Sequence, residues 1–383
     1  VLATHATLTV TAAQERGYLA HRHGLHPADE PATIENLASA HAGLHAARLP
    51  TPFVTLRARL PEFTAKELRQ ALEPGGHLIK LRTCRRTLHI YPLDEAPAAH
   101  AATVRQRLGA CAATVRRLGK DPKILTRITP LIRQALTDGP LPHRELETLV
   151  LAAGLRVRAQ RVVLGELVRL AIKWLWESGD LVYHNAADSL HRERREFSLT
   201  AQAHPGLQLN HLTASAAATV LLRRYLAAFG PASIEDFQWW SGLTRNEITP
   251  ALAALRPDLI NVRIDEHPAS LLLLAEHEPH LLAAASLPSD HVDLLAYEDP
   301  ALKGYFATRR RYVDDEHRAT LFNSIGEVRA SIAVAGRCVG TWQFDRATRT
   351  INHILHAPVP AAAQPAIAGR LDDMTEFLRS EPC

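Results

Sequence analysis

The chain has 383 residues, 46% of them hydrophobic, with a net charge of +4 and a pI of about 9.0, which is too long for one simple core and predicts two or more folded domains. The apolar content excludes a disordered chain, and neither a membrane-spanning apolar run nor a signal peptide is recognisable, so a soluble, cytoplasmic protein is expected. The cysteines (Cys84, Cys111, Cys338, Cys383) are scattered without CxxC spacing, which argues against a zinc site or a disulfide framework, while the Arg-rich, mildly basic balance suits a nucleic-acid partner.

The first segment, 1–103, opens with a helix from Thr9, Thr11 and Gln14 to His23, ended by Gly24. His21, Arg22 and His23 near its end suit the helix dipole or a nucleic-acid backbone equally well. A second helix starts at Thr33 and Glu35 and ends near Ala42-Gly43, before the short segment Gly43-Leu44-His45-Ala46-Ala47. Thr64 with Glu67 caps another helix, two strands follow at His77–Thr83 and Thr87–Tyr91, and Asp94 begins the next helix. Helices followed by a strand pair are the order of a winged helix.

The second segment, 104–212, repeats that order. ITPLIRQAL is helical, Asp138-Gly139-Pro140 breaks it, and a long amphipathic helix spans about Ala159 to Ser178. Strands at Asp180–Asn185 and Arg194–Leu199 flank a basic tip, Leu190-His191-Arg192-Glu193-Arg194-Arg195. Arg192, Arg194 and Arg195 there are candidate phosphate contacts, the alternative being a solvated hairpin with internal Glu pairing.

The third segment, 213–285, carries the clearest signal. Val220, Leu221, Tyr225 and Phe229 fall at helical spacing, Gly230-Pro231 ends that helix, and Ser233/Asp236 and Thr244/Glu247 read as two capping boxes around a tight Ser241-Gly242-Leu243 link. This is helix-turn-helix chemistry and points to DNA. Trp239-Trp240 is expected to fill its core. The last segment, 286–383, reads as a small β module with strands at Ser331–Val334, Cys338–Phe344 and Thr350–Leu355. Its Arg309-Arg310-Arg311, followed by Tyr312, is a second candidate for phosphate contact.

Four strings, far apart and in order, carry a family likeness. Arg85-Arg86-Thr87-Leu88-His89 with Pro92, Asp94 and Glu95 resembles R-G-T-L-H-L-x-P-x-D-E. Tyr225 to Ala232, continuing through Asp236-Phe237 and Trp239-Trp240-Ser241-Gly242, is similar to the same family's helix-turn-helix. Leu294-Leu295-Ala296-Tyr297-Glu298-Asp299-Pro300 with Gly304-Tyr305 resembles L-L-P-x-F-D-P-x-x-x-G-Y, and Val339-Gly340-Thr341-Trp342 resembles a closing V-x-G-x-W strand, one residue shorter. The family is that of the winged-helix DNA glycosylases of the AlkZ/YcaQ type. The resemblance implies an α+β, mainly helical fold of tandem winged helices with a small C-terminal β-barrel and a C-shaped DNA-binding surface. It implies hydrolysis of the N-glycosidic bond of bulky alkylated purines, N7-alkylguanine adducts above all, in base excision repair or in self-resistance to a DNA-alkylating antibiotic. The implied partner is double-stranded DNA carrying such an adduct; no cofactor, metal, membrane or obligatory protein partner is called for.

The resemblance fails at one place. The family's catalytic Gln-x-Gln or Gln-x-Asp follows a small G-[VLI] segment, and here that stretch reads Gly43-Leu44-His45-Ala46-Ala47. His45 replaces the first Gln, and Ala47 cannot orient water through its side chain. A purine alkylated at N7 is already cationic and leaves readily, so the site must position a water and stabilise an oxocarbenium-like sugar. A neutral His45 can do the former. Asp299 is the first candidate for the latter, with Leu44, Ala47, Arg85, Thr87 and His89 lining the site. The small Ala47 leaves room for a larger adduct, and no Lys in 43–49 supports a lyase step, so a monofunctional enzyme is expected. The alternative is a non-catalytic winged-helix DNA-binding protein, a regulator or lesion sensor.

Overall fold

A computed structural model describes residues 7–26, 32–153, 160–265, 267 and 269–382; Cys383 lies outside them. Several of its helix starts follow from side chains that satisfy the free N–H groups of a first turn. Thr64 and Glu67 cap Ala65–Ala71, Ser233 and Asp236 cap Ile234–Ser241, and Thr244 and Glu247 cap Arg245–Leu255, each pair closing a capping box. Gly242 ends Ile234–Ser241 in the left-handed region (φ 74°). A Cβ there would also lie 3.3 Å from the Arg85 backbone, so the link between these two helices rests directly on the first unit.

The helices frame three sheets of three strands. Leu44–His45, Leu88–Pro92 and Leu78–Arg82 form the first, in that order, with His45 opposite His89. Leu141–Pro142, Arg195–Leu199 and Leu181–Asn185 form the second. In the third, Leu259–Ile264 pairs with Ser270–Leu274 and, in parallel, with Leu8–Val10 from the start of the chain. The expected first helix therefore begins as a strand, and the helix itself is Ala12–Arg22. Val10 sits beside Ile264, both buried, and this distant apolar pairing outweighs local helix propensity. The helix Ala96–Arg117 crosses the division expected at 103 and rests on both Ala214–Phe229 and Arg161–Ser178, tying the first unit to both neighbours. Leu221, Tyr225 and Phe229 of Ala214–Phe229 are buried, whereas Val220 faces outward.

The last module departs from the expected barrel. Val292–Leu295, Ser331–Val334, Arg337–Asp345 and Thr350–Leu355 form an antiparallel sheet in that linear order, and its outer strands do not pair with each other among the described residues. A helix, Ala363–Ser380, covers it instead, burying Ile367, Leu371, Met374 and Phe377 in one cluster with Leu294, Ile332 and Trp342. A fully buried side chain of this kind contributes roughly 1.5–3 kcal/mol, so the helix supplies the apolar closure that a barrel would supply with strands. Leu44 and Leu56 of the first unit join the same cluster, which fastens this module beside the strand that carries His45. No helix among the described residues is long and apolar enough to cross a membrane.

Candidate active site

Strand Leu44–His45 is two residues long and follows Gly43, whose backbone (φ 104°) and close approach to the Tyr91 ring admit no side chain. Pairing with Leu88–Pro92 turns His45 inward, where it is 3% exposed. Neither ring nitrogen of His45 has a hydrogen-bond partner among the described residues. A buried polar group left unpaired costs stability, so it marks a place where something other than folding fixed the residue. Burial first, then electrostatic coupling to neighbouring His89, Lys303 and Arg85, holds the His45 pKa well below its ordinary value, so the imidazole is neutral at physiological pH. His89 meets it edge-on, ring centroids 5.3 Å apart, and is itself depressed to about 4, mainly by burial.

The carboxylate that faces His45 is Glu298, with Oε2 4.0 Å from His45 Nε2 and both side chains 3% exposed. Glu298 adopts a left-handed backbone (φ 57°), uncommon for a side chain of this kind. It is held by the Val328 N–H, which donates to Oε1 at 2.7 Å, and by an ion pair between Oε2 and Lys303. Burial raises the Glu298 pKa and lowers that of Lys303; their mutual contact opposes both shifts.

Asp299, the expected acid, does different work. It is fully buried in a two-pronged ion pair with Arg59 (2.8 and 3.1 Å), and it accepts from Thr55 Oγ1 and from the N–H groups of Ala296 and Ala301. Its oxygens are occupied by the joint between the last module and helix Thr51–Arg57. Asp299, expected as an acid of the site, is thus placed in a structural joint with both oxygens engaged.

Arg85 and Trp239 form the rim. The Arg85 guanidinium lies 3.9 Å from the Trp239 ring centre, Lys303 and Arg309 approach the same ring at 5.1 and 5.0 Å, and Phe306 stacks on it at 5.3 Å. The Trp239-Trp240 pair therefore divides: Trp240 is buried among Tyr225, Phe229 and Phe237, while Trp239 is half-buried and carries cations. Leu44 is buried beneath the site, Ala47 is exposed, and Thr87, half-buried, closes its own turn by donating to the Cys84 carbonyl.

The basic runs separate in the same way. Of Arg309-Arg310-Arg311, only Arg310 is exposed, and it pairs with Asp315. Arg311 is buried against Glu15 (2.9 Å) and the Pro231 carbonyl, and Arg309 is buried between Trp239 and Phe322. These two are corrected from phosphate contacts to core cations. Arg195 binds Glu193 and lies over Tyr183, Arg194 is exposed 3.5 Å from Glu196, and Arg192 is exposed. Arg22 donates to the Ala227 carbonyl and His23 contacts that of Ala228, so both satisfy the end of helix Ala214–Phe229. His21 stacks on His26. No group of three His, Cys, Asp or Glu able to hold a metal ion is found among the described residues.

A cavity of about 680 Å³ reaches Arg48 and Tyr297, the chain neighbours of Ala47 and Glu298, and is lined further by Arg329, Trp342 and Phe344. Three helix-and-sheet units and a helix-covered sheet thus make an α+β protein whose first, third and last parts meet around His45, Trp239 and Glu298. Residues 38–377 match the family described as DNA glycosylase AlkZ-like, and the chain belongs to that family. A solved structure, the Streptomyces sahachiroi DNA glycosylase AlkZ, shares the fold with a TM-score of 0.79 at 20% identity, covering 96% of this chain and 98% of that one. An interstrand DNA cross-link repair glycosylase from Streptomyces sahachiroi is 28% identical over 131 residues, so the aligned stretch spans 33% of this chain and 34% of that relative.

Proposed function

We propose that this protein is a monofunctional DNA glycosylase that hydrolyses the N-glycosidic bond of bulky alkylated purines, N7-alkylguanine adducts in particular, in duplex DNA. The observation that carries this reading is His45: a buried, neutral imidazole with two unpaired nitrogens at the position of the family's first catalytic Gln. Water adds to C1′ of the damaged nucleotide and passes its proton to a His45 nitrogen. The C1′–N9 electron pair leaves with the base and cancels the positive charge that alkylation placed there. The leaving group needs no acid, so one neutral base that orients water suffices for this half of the reaction. The cavity lined by Arg48 and Tyr297 has room for the bulky part of an adduct. The three helix-and-sheet units act as winged helices along a concave DNA-binding face, with exposed Arg192, Arg194 and Arg310 on phosphates. Base excision repair and self-resistance to a DNA-alkylating antibiotic are the roles this chemistry serves, and water is its only co-reactant.

The test is single-turnover base release from a duplex bearing a stable bulky N7-guanine adduct. Wild type releases the base, and His45→Ala falls by about 100-fold or more, the usual contribution of a positioned general base. Tight adduct binding without release, by wild type across several adducts, would make the protein a non-catalytic DNA binder.

A further inference from the structure

Resting on the glycosylase reading, we infer that Glu298 is the second catalytic group of this site, supplying through space the polar function that Ala47 lacks in sequence. Two departures from the family pattern meet in the structure. His45 stands for a Gln, and Glu298 stands where the resembled L-L-P-x-F-D-P string has an apolar Phe. An introduced carboxylate in a buried place is costly unless it is paired or used. Here it is set within 4.0 Å of a buried imidazole whose two nitrogens have no hydrogen-bond partner among the described residues. At 4.0 Å the two groups are too far apart for a direct hydrogen bond, and one water would bridge them.

The construction of the loop fits this use. Glu298 is presented by a left-handed backbone, its Oε1 is anchored by the Val328 N–H, and Oε2, the oxygen nearer His45, carries the Lys303 ammonium. Thr51 fixes the preceding turn by donating to the Tyr297 carbonyl at 2.7 Å. The carboxylate takes no proton and gives no electron pair. It holds the attacking water opposite His45 and sets a fixed negative charge against the positive charge that grows on the sugar. Lys303 is a positioning residue that keeps Glu298 ionised, aided by the more distant Arg85 and Arg309 and opposed by Glu327; His45 and His89 are neutral.

The experiment is single-turnover base release by the full chain as a function of pH, with adduct affinity measured alongside, for wild type, Glu298→Gln and Lys303→Met. Glu298→Gln loses at least about 30-fold in release at every pH while affinity stays within about threefold, because the lost interaction is made in the transition state. Lys303→Met keeps a plateau, but its rising limb moves up by about one pH unit or more, since the carboxylate has lost its nearest opposite charge. A purely structural ion pair would lower the plateau without moving the limb. Release by Glu298→Gln within about threefold of wild type, or an unmoved Lys303→Met limb, overturns the assignment, and the second variant decides if the first does not fold. Loss of release in His45→Ala with no change in Glu298→Gln strikes this inference alone; absence of release by wild type removes the glycosylase reading and this inference together.

Discussion

Two adjacent carboxylates meet the first unit in opposite ways. Where the loop joins helix Thr51–Arg57, Asp299 gives its oxygens to Arg59, Thr55, Ala296 and Ala301. Where the same loop faces strand Leu44–His45, Glu298 meets an imidazole with no other partner, at a distance too long for a direct hydrogen bond. Both acids are buried, so burial alone does not separate scaffold from chemistry. What separates them is satisfaction: folding accounts for every contact of Asp299 and leaves His45 unexplained.

The sharpest way to break this contrast is through stability. Asp299→Ala strands the Arg59 charge inside the protein and is expected to cost about 3–5 kcal/mol in denaturant unfolding, with release per folded molecule little changed. A loss of release without loss of stability would exchange the roles of the two acids. Arg311→Met removes the buried cation 2.9 Å from Glu15 and is expected to cost about 3 kcal/mol, without altering the salt dependence of DNA binding. Glu298→Gln is expected to cost less, about 1–2 kcal/mol, because Lys303 at 11% exposure keeps some access to water. Arg192→Ala should leave stability within about 0.5 kcal/mol but reduce the slope of log affinity against log salt by about 1, on damaged and undamaged duplex alike. An unchanged slope would remove Arg192 from the DNA face.

Much of this arrangement was legible wherever a local signal decides. The capping boxes at Thr64, Ser233 and Thr244 mark helix starts by side-chain chemistry within four residues, and the structure forms all three. The strand pairs of the first two segments were readable from their apolar runs. Strand Leu8–Val10 was not, because its partner lies some 250 residues away and three residues carry no period of their own. Helix Thr51–Arg57 starts without a side-chain cap. Helix Ala363–Ser380 did leave a signal, since Ile367, Leu371, Met374 and Leu378 recur at helical spacing, but the Pro-rich entry masks it. His45 could be found by its place in the motif. Glu298 could not be told from Asp299, because a left-handed backbone at one residue decides which of the two acids faces His45. The Arg309-Arg310-Arg311 run misleads for a related reason: a sequence shows charge, whereas the partners Glu15, Trp239 and Phe322 that draw two of these residues inside come from elsewhere in the chain.

The most direct test of the account is the pH profile of base release by wild type under single-turnover conditions. His45 working as a neutral base, with its pKa depressed by burial, and Glu298 working as a carboxylate predict release that rises as pH leaves the acid range and does not fall between pH 6 and 8. Release that instead falls as pH increases through this range would mean that a protonated imidazole does the work, and would contradict the account.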